Sequence, residues 1–218
     1  YELGIAVQKV YNFIWDEFCD WYIEITKTRT YKKEEDPKSA KTAMWTLKTV
    51  LIQALKLLHP YMPFITEEIF CTLQEEETIM LSEWPTFKEE WNFKAEEEAV
   101  AHVKDLVKGI RNTRAEMDVP PSRKAKVFIV TEDKELEEIF ASMKTAYAAL
   151  ISASEIQVQD TKDGIGEDAV SVVIPGAVVY IPLEDLVDFE KEKERLHKEK
   201  DKLTKELSRS KGMLSNEK

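Results

Sequence analysis

The stretch LHPYMPFITEEIF, residues 58–70, places two prolines and a histidine inside what otherwise reads as continuous helix. Pro60 has no N–H and disfavours helical geometry at His59, so the helix before it is predicted to stop near Leu58. Pro63 suits the first turn of a new helix, where a missing donor is harmless. Glu67 and Glu68 follow early in that helix, where the positive end of its dipole favours acids. Phe64, Ile65, Ile69 and Leu73 give it one apolar side. The stretch therefore demands a sharp corner between two helices, and the chain has to pack helix on helix. His59, at that corner, is read as a helix-end or packing residue and not as a catalytic base.

The rest of the chain fits around this corner. Val7, Val10, Tyr11, Ile14, Phe18, Trp21, Tyr22 and Ile25 recur at helical spacing and predict a first helix ending near Thr28. Trp15 and Phe13 broaden its stripe, so cover on more than one side is expected, with Trp21 and Tyr22 in the core and Trp15 either in the core or presenting an aromatic face for stacking. KTRTYKKEEDPKS reads as a loop, and Ser39 as the cap of a second helix with Ala40, Ala43, Met44, Leu47, Val50, Leu51, Ala54 and Leu55 inward. TIMLSEWP is predicted to be an extended crossing, followed by a long helix over 89–117 with the stripe Ala99, Val103, Leu106, Ile110, Thr113 and Met117.

After Pro120 and Pro121 the pattern changes. KAKVFIV (124–130) predicts a strand, 132–150 one or two helical pieces, and 156–159 a second strand. Residues 168–182 predict a hairpin turning at Pro175-Gly176. The expected fold class is mainly α, with a small β-α-β-β module whose sheet is mostly antiparallel. From Leu186 a heptad runs through Lys193, Lys200, Leu207 and Leu214, and through Phe189, Leu196, Leu203 and Ser210. Six of these nine positions are apolar, which favours a coiled-coil helix over a solitary one. The expected division is a helical domain over 1–121, the module over 122–183 and the coiled-coil arm over 184–218.

Charge narrows the function. The net charge is −11, yet positive charge is concentrated in segments. Residues 101–126 hold seven bases against three acids, 27–41 six against three, and 190–218 ten against seven. A polyanion can bind an acidic protein where folding gathers such segments; the alternative is that they are solvated helix faces. Lys104, Lys108 and Arg111 fall in one row of the long helix, away from its apolar stripe, and such a row tracks a phosphate backbone. Arg114 lies at the stripe's edge, where the alternative to a phosphate contact is pairing with Glu116 or another acid. The candidate contact set is Arg29, Lys32, Lys33, Lys104, Lys108, Arg111, Arg114, Arg123 and Lys124, extended on the coiled coil by Lys198, Lys202, Lys205 and Arg209.

Catalytic signatures are missing from these residues. There is no GxxxxGK[ST], GxGxxG or GxSxG, and DGIG at 163–166 is read as a hairpin loop between strands. The three histidines are scattered, and His197 is read as solvated. Cys19 and Cys71 lack metal-ligand spacing and are expected to be small buried residues in a reducing cytosol. No signal peptide or membrane-length apolar run is present, so no membrane partner and a cytoplasmic location are expected.

Four stretches, YNFIWDEFCDWYIEITK, LHPYMPFITEEIF, SEWP and IRNTRAEMDVPPSRK, in this order, resemble the C-terminal part of the bacterial valyl-tRNA synthetases. The likeness spans the whole chain. LHPYMPFITEEI is shared with leucyl and isoleucyl relatives, whereas the coiled coil favours the valyl family and the cysteine-rich zinc tail of an isoleucyl enzyme is not seen. The resemblance implies a helical anticodon-binding bundle holding the anticodon stem-loop, and a coiled coil leaning on the outer corner of a valine tRNA. It implies a parent enzyme that activates valine with ATP and magnesium. Neither cofactor is expected here, because the nucleotide-binding motifs and the editing domain are absent; the chain is expected to be a fragment without aminoacylation chemistry. The contrasting reading is a protein–protein module, and the seam of Leu196, Leu203 and Leu207 is expected to be open to self-association.

Overall fold

The computed structural model describes residues 2–31, 34–186, 197, 200–208 and 210. They divide into two compact units, one of residues 1–98 with 145–150 and one of residues 99–144 with 151–218.

The first unit is helical. Helix α1 (Leu3–Asn12), a π-helical segment (Phe13–Ile23) and α2 (Glu24–Tyr31) follow one another without a break. The helix thus runs past Thr28 to Tyr31 instead of fraying there. Thr26, Thr28 and Thr30 return their hydroxyls to carbonyls three or four residues back, so three poor helix formers are satisfied inside the last turns. The π segment changes which residues share a face. Its i→i+5 bonding widens each turn, so side chains chosen at a 3.6-residue period drift apart. Phe18 is its buried residue and stacks on Tyr22 at 6.3 Å between centroids. Trp21 and Tyr22 are half-buried, and Trp15 is 57% exposed.

Helix α3 (Pro37–Leu58) starts two residues before the predicted cap. Asp36 is the cap, and its carboxylate accepts the Ser39 N–H at 3.0 Å with Pro37 in the first turn. Helix α4 (Pro63–Leu73) begins at Pro63 as predicted. Between them His59 caps α3, and its N–H still reaches the Leu55 carbonyl. Ile52 and Leu55 from α3 and Phe70 from α4 form a core with Ile79, which sits in a short 3-10 turn, Ile79–Leu81. TIMLSEWP is therefore extended at Thr78 and Ser82, on either side of that turn. Two contacts hold the crossing: Glu67 accepts the Ile79 N–H at 3.2 Å, and Lys56 donates to the Glu83 carbonyl at 3.1 Å. Hydrogen bonds, foremost from Thr78, hold the Glu67 carboxyl below its ordinary range. The long helix begins later than predicted, at Lys94 (α5, Lys94–Glu116), after a separate 3-10 turn at Glu89–Trp91.

The second unit is built on a four-stranded sheet. Its strands are β1 (Ala125–Val130), β2 (Ala153–Gln159), β3 (Val170–Ile174) and β4 (Ala177–Ile181), in the order β2-β1-β4-β3. β1 pairs parallel with β2 and antiparallel with β4, and β3 pairs antiparallel with β4. The parallel pair needs a crossover, and the connection includes α6 (Lys134–Ser142) and then α7 (Lys144–Tyr147), most of whose residues fall in the first unit. Pro175-Gly176 turns the β3–β4 hairpin as predicted, and Gly176 takes φ +78°, a left-handed value that glycine adopts without a Cβ clash. DGIG does not close a hairpin. β2 and β3 are opposite edges of the sheet, and residues 160–169 carry the chain from one to the other. Lys162 lies 4.9 Å from the centre of the Tyr180 ring on the way. Alternate residues Ala125, Val127 and Ile129 of β1 and Ala177, Val179 and Ile181 of β4 are buried, so one face of the sheet is its inner face. Gly109 of α5 comes up against β3; a Cβ there would lie 3.0 Å from the Val172 side chain. Short α8 (Leu183–Leu186) ends with Leu186 buried, and residues 200–208 are helical.

Candidate nucleic-acid interface

Helix α5 carries the densest part of the predicted contact set. Val103, Leu106, Val107 and Ile110 are fully buried, and Arg114 joins the same side. At about 100° per residue, Lys104, Lys108 and Arg111 share an arc of about 60° on the flank of that buried stripe. Lys108 and Arg111 are exposed and Lys104 is half-buried. Each of the three also has an interaction within the chain, so the row is anchored as well as cationic. A row of three cations on one rigid helix spans about 10 Å, at 1.5 Å per residue, which matches successive phosphates better than a single ligand does.

Arg114 does not belong to that surface. It is 6% exposed, and its guanidinium donates to the carbonyls of Pro120 (3.2 Å) and Arg123. Burial pulls its pKa below the ordinary arginine value. This overturns both sequence expectations, a phosphate contact and a pair with Glu116. The side chain instead closes the turn after α5, where Asp118 takes a positive φ of 55° and the Val119 N–H returns to the Arg114 carbonyl. Carbonyl groups exposed by the Pro120-Pro121 break are what an arginine fork satisfies.

Arg123 is half-buried and is also turned toward backbone. Its Nε donates to the Asp185 carbonyl at 2.5 Å and its Nη2 to the Glu184 carbonyl at 3.0 Å. Lys124, next to it, is exposed at the start of β1. Lys202 and Lys205 are exposed on the helical stretch 200–208, as are the seam residues Leu203 and Leu207. Arg29 is exposed on α2 in the other unit. Its neighbour Lys27 is bonded to Glu24 at 2.5 Å, and that hydrogen bond raises the lysine's pKa. Lys32, Lys33, Lys198 and Arg209 lie outside the described residues, as do the seam residues Phe189, Lys193, Leu196 and Leu214.

The first unit adds exposed aromatic faces. Trp15 lies on the surface of the π segment. Trp45 is 62% exposed, and its place off the apolar stripe of α3 was a readable signal. Such aromatic faces are the chemistry on which unstacked bases lie.

Residues 1–129 match the family described as the anticodon-binding domain of tRNA ligase. The chain belongs to that family. Several relatives within this family are valine–tRNA ligases. It is 53% identical over 198 residues to the valine–tRNA ligase of Clostridium tetani, covering 90% of this chain and 22% of the relative. It is 47% identical to that of Clostridium perfringens, covering all of this chain and 24% of the relative. The Bacillus subtilis enzyme is 38% identical over the same coverage, 100% and 24%. The chain thus spans about a quarter of the length of the curated relatives it matches. Among the described residues no helix is long and apolar enough to cross a membrane.

Proposed function

We propose that this chain is the tRNA-recognition part of a valine–tRNA ligase, holding the anticodon stem-loop with its helical domain and the outer corner of the tRNA with its C-terminal helix. The observation that carries the reading is the Lys104–Lys108–Arg111 row, set on one side of a helix inside the stretch that matches the anticodon-binding family. Phosphate contacts from such a row fix register, and sequence is then read by stacking and edge contacts to unpaired bases. Aminoacylation, with valine, ATP and magnesium, is the work of the longer enzyme in this reading, in the cytoplasm, and these residues contribute binding and orientation. In functional terms the division runs 1–121, 122–183 and 184–218, as anticodon domain, linking module and corner-binding arm.

The experiment is retention of a valine tRNA transcript by the chain across a salt series. The reading expects log affinity to fall linearly with log salt, by about 0.7 to 0.9 per phosphate contacted. A chain that retains no tRNA at any salt, or retains it with no salt dependence, refutes it.

A further inference from the structure

The sheet of the second unit has an outer face as well as an inner one. Alternate residues of β1 and β4 are buried, so Phe128 and Val130 of β1 and Val178 and Tyr180 of β4 point the other way. These four stay partly accessible, and Val173 of the edge strand β3 is 81% exposed. The register sets them in rows. Gln157, Phe128, Tyr180 and Ser171 lie in one row across the four strands, with the two rings on directly paired residues of the two central strands. Val130, Val178 and Val173 share the next row. A sheet with one wet side ordinarily turns polar residues outward; this one turns out rings and aliphatic groups. Lys126 precedes Phe128 by two residues and shares its face, with the Glu155 carboxylate 3.9 Å from its ammonium. The Lys162 ammonium lies 4.9 Å from the centre of the Tyr180 ring. These two cations are outnumbered by Glu155, Asp160, Asp163, Glu167 and Asp168 on β2 and the stretch after it. The face therefore suits flat, uncharged groups better than phosphates.

Rings on the central strands of an open four-stranded sheet stack unpaired bases, which present a flat face whatever their identity. We propose that the outer face of this sheet, with Phe128 and Tyr180 as its stacking rings, takes unpaired nucleotides of the tRNA. This rests on the tRNA reading above and extends it, since residues 122–183 then make contact as well as link. RNA is favoured over a protein surface by the neighbours in the ring row, the Gln157 amide and the Ser171 hydroxyl, which can meet base edges, and by the anticodon-binding match, which runs to residue 129 and so takes in Phe128. A base on Tyr180 displaces the Lys162 ammonium, whose exposed contact with the ring is weak, and leaves it to meet that base's phosphate.

The test is made on the full chain with two probes, valine tRNA transcript and a single-stranded RNA octamer. Phe128→Leu and Tyr180→Leu keep apolar groups on the strands and remove the rings. Each lowers tRNA affinity about five-fold or more. Neither changes the slope of log affinity against log salt, because no cation is lost. Phe128→Tyr keeps the affinity. The octamer binds the parent chain and is lost from the Phe128→Leu/Tyr180→Leu pair, and in the parent chain it shifts the ring-proton resonances of Phe128 and Tyr180, a readout that needs no folded variant. The proposal is overturned if the octamer leaves those resonances unmoved, if it binds parent and paired variant alike, or if both folded leucine variants hold tRNA as the parent does. It is also overturned if the face proves to join two copies of the chain, seen as concentration-dependent sedimentation that the paired variant abolishes. In each of these cases retention of tRNA by the parent chain leaves the functional reading standing. A parent chain that retains no tRNA refutes that reading; the octamer then decides the stacking face alone.

Discussion

His59 and Thr66 close the proline corner from its two ends: the imidazole Nδ1 lies 2.7 Å from the Thr66 hydroxyl. That hydroxyl also lies 2.8 Å from the Met62 carbonyl, which can only accept. The hydroxyl thus bridges the Met62 carbonyl and Nδ1, while the other ring nitrogen, Nε2, lies 3.1 Å from the Met80 sulfur. Thr66 itself is fully buried. Substituting Thr66→Val keeps the shape and leaves Nδ1 of the imidazole without this partner. The expected loss is about 1–2 kcal/mol, read as a lower urea midpoint with an unchanged slope. His59→Ala in the Thr66→Val background adds little beyond its loss of packing if the two act as a pair.

Arg114 is buried among carbonyls and not among phosphates. Arg114→Met fills much of its volume but leaves the carbonyls of Pro120 and Arg123 without their donor. A loss of about 2–4 kcal/mol follows, measured by denaturant titration, because buried acceptors then lack a partner. Under conditions where the variant stays folded, its salt slope for tRNA matches that of the parent chain, since no phosphate contact has been removed.

Lys108 and Arg111 are exposed on one flank of α5. Lys108→Ala with Arg111→Ala removes two cations and so reduces the salt slope for valine tRNA by about 1.4–1.8. Both residues also have partners in the chain, so the same variant is checked by thermal melting. An unchanged slope in a folded variant removes the pair from the interface.

Glu67 ties α4 to the turn at Ile79, and its carboxyl is held below the ordinary value of 4.5 by hydrogen bonds, first from Thr78 and then from Ile79. A lowered folded pKa means that the carboxylate's contribution is complete above about 4.5 and fades as pH falls through the folded value. Glu67→Gln therefore destabilises the chain at neutral pH, and the gap to the parent chain narrows on acidification across that window. Melting temperatures taken from pH 7 down to pH 3 check both the sign and the window.

The corner and the hairpin were legible because each is dictated locally. Pro60 and Pro63 forbid a continuous ladder, and Pro175-Gly176 supplies a left-handed residue where a turn needs one. The helical row of Lys104, Lys108 and Arg111 was legible for the same reason. What was not legible depended on partners distant in sequence or on backbone geometry without a residue signature. The π segment itself carries no signature, since its spacing reads as ordinary helix. Asp36 displaced Ser39 as a cap, where both are good acceptors and only the start of the helix decides between them. Arg114 sits three residues past a row of cations and is buried because a double-proline turn left carbonyls for it to serve. DGIG reads as a tight loop, and only the sheet order shows that it spans from edge to edge.

Gly109 is where α5 leans on β3, yet the side chains it meets, Val172 and Ile174, come about 60 residues later in the chain. During synthesis at about 5–20 residues per second, α5 waits roughly 3–12 s for the strand that will rest against it. β1 waits as well, since both its neighbours in the sheet follow it. The order in which the ribosome delivers this unit therefore leaves apolar surface uncovered until the hairpin arrives, and the hairpin's quick local turn sets when that interval ends.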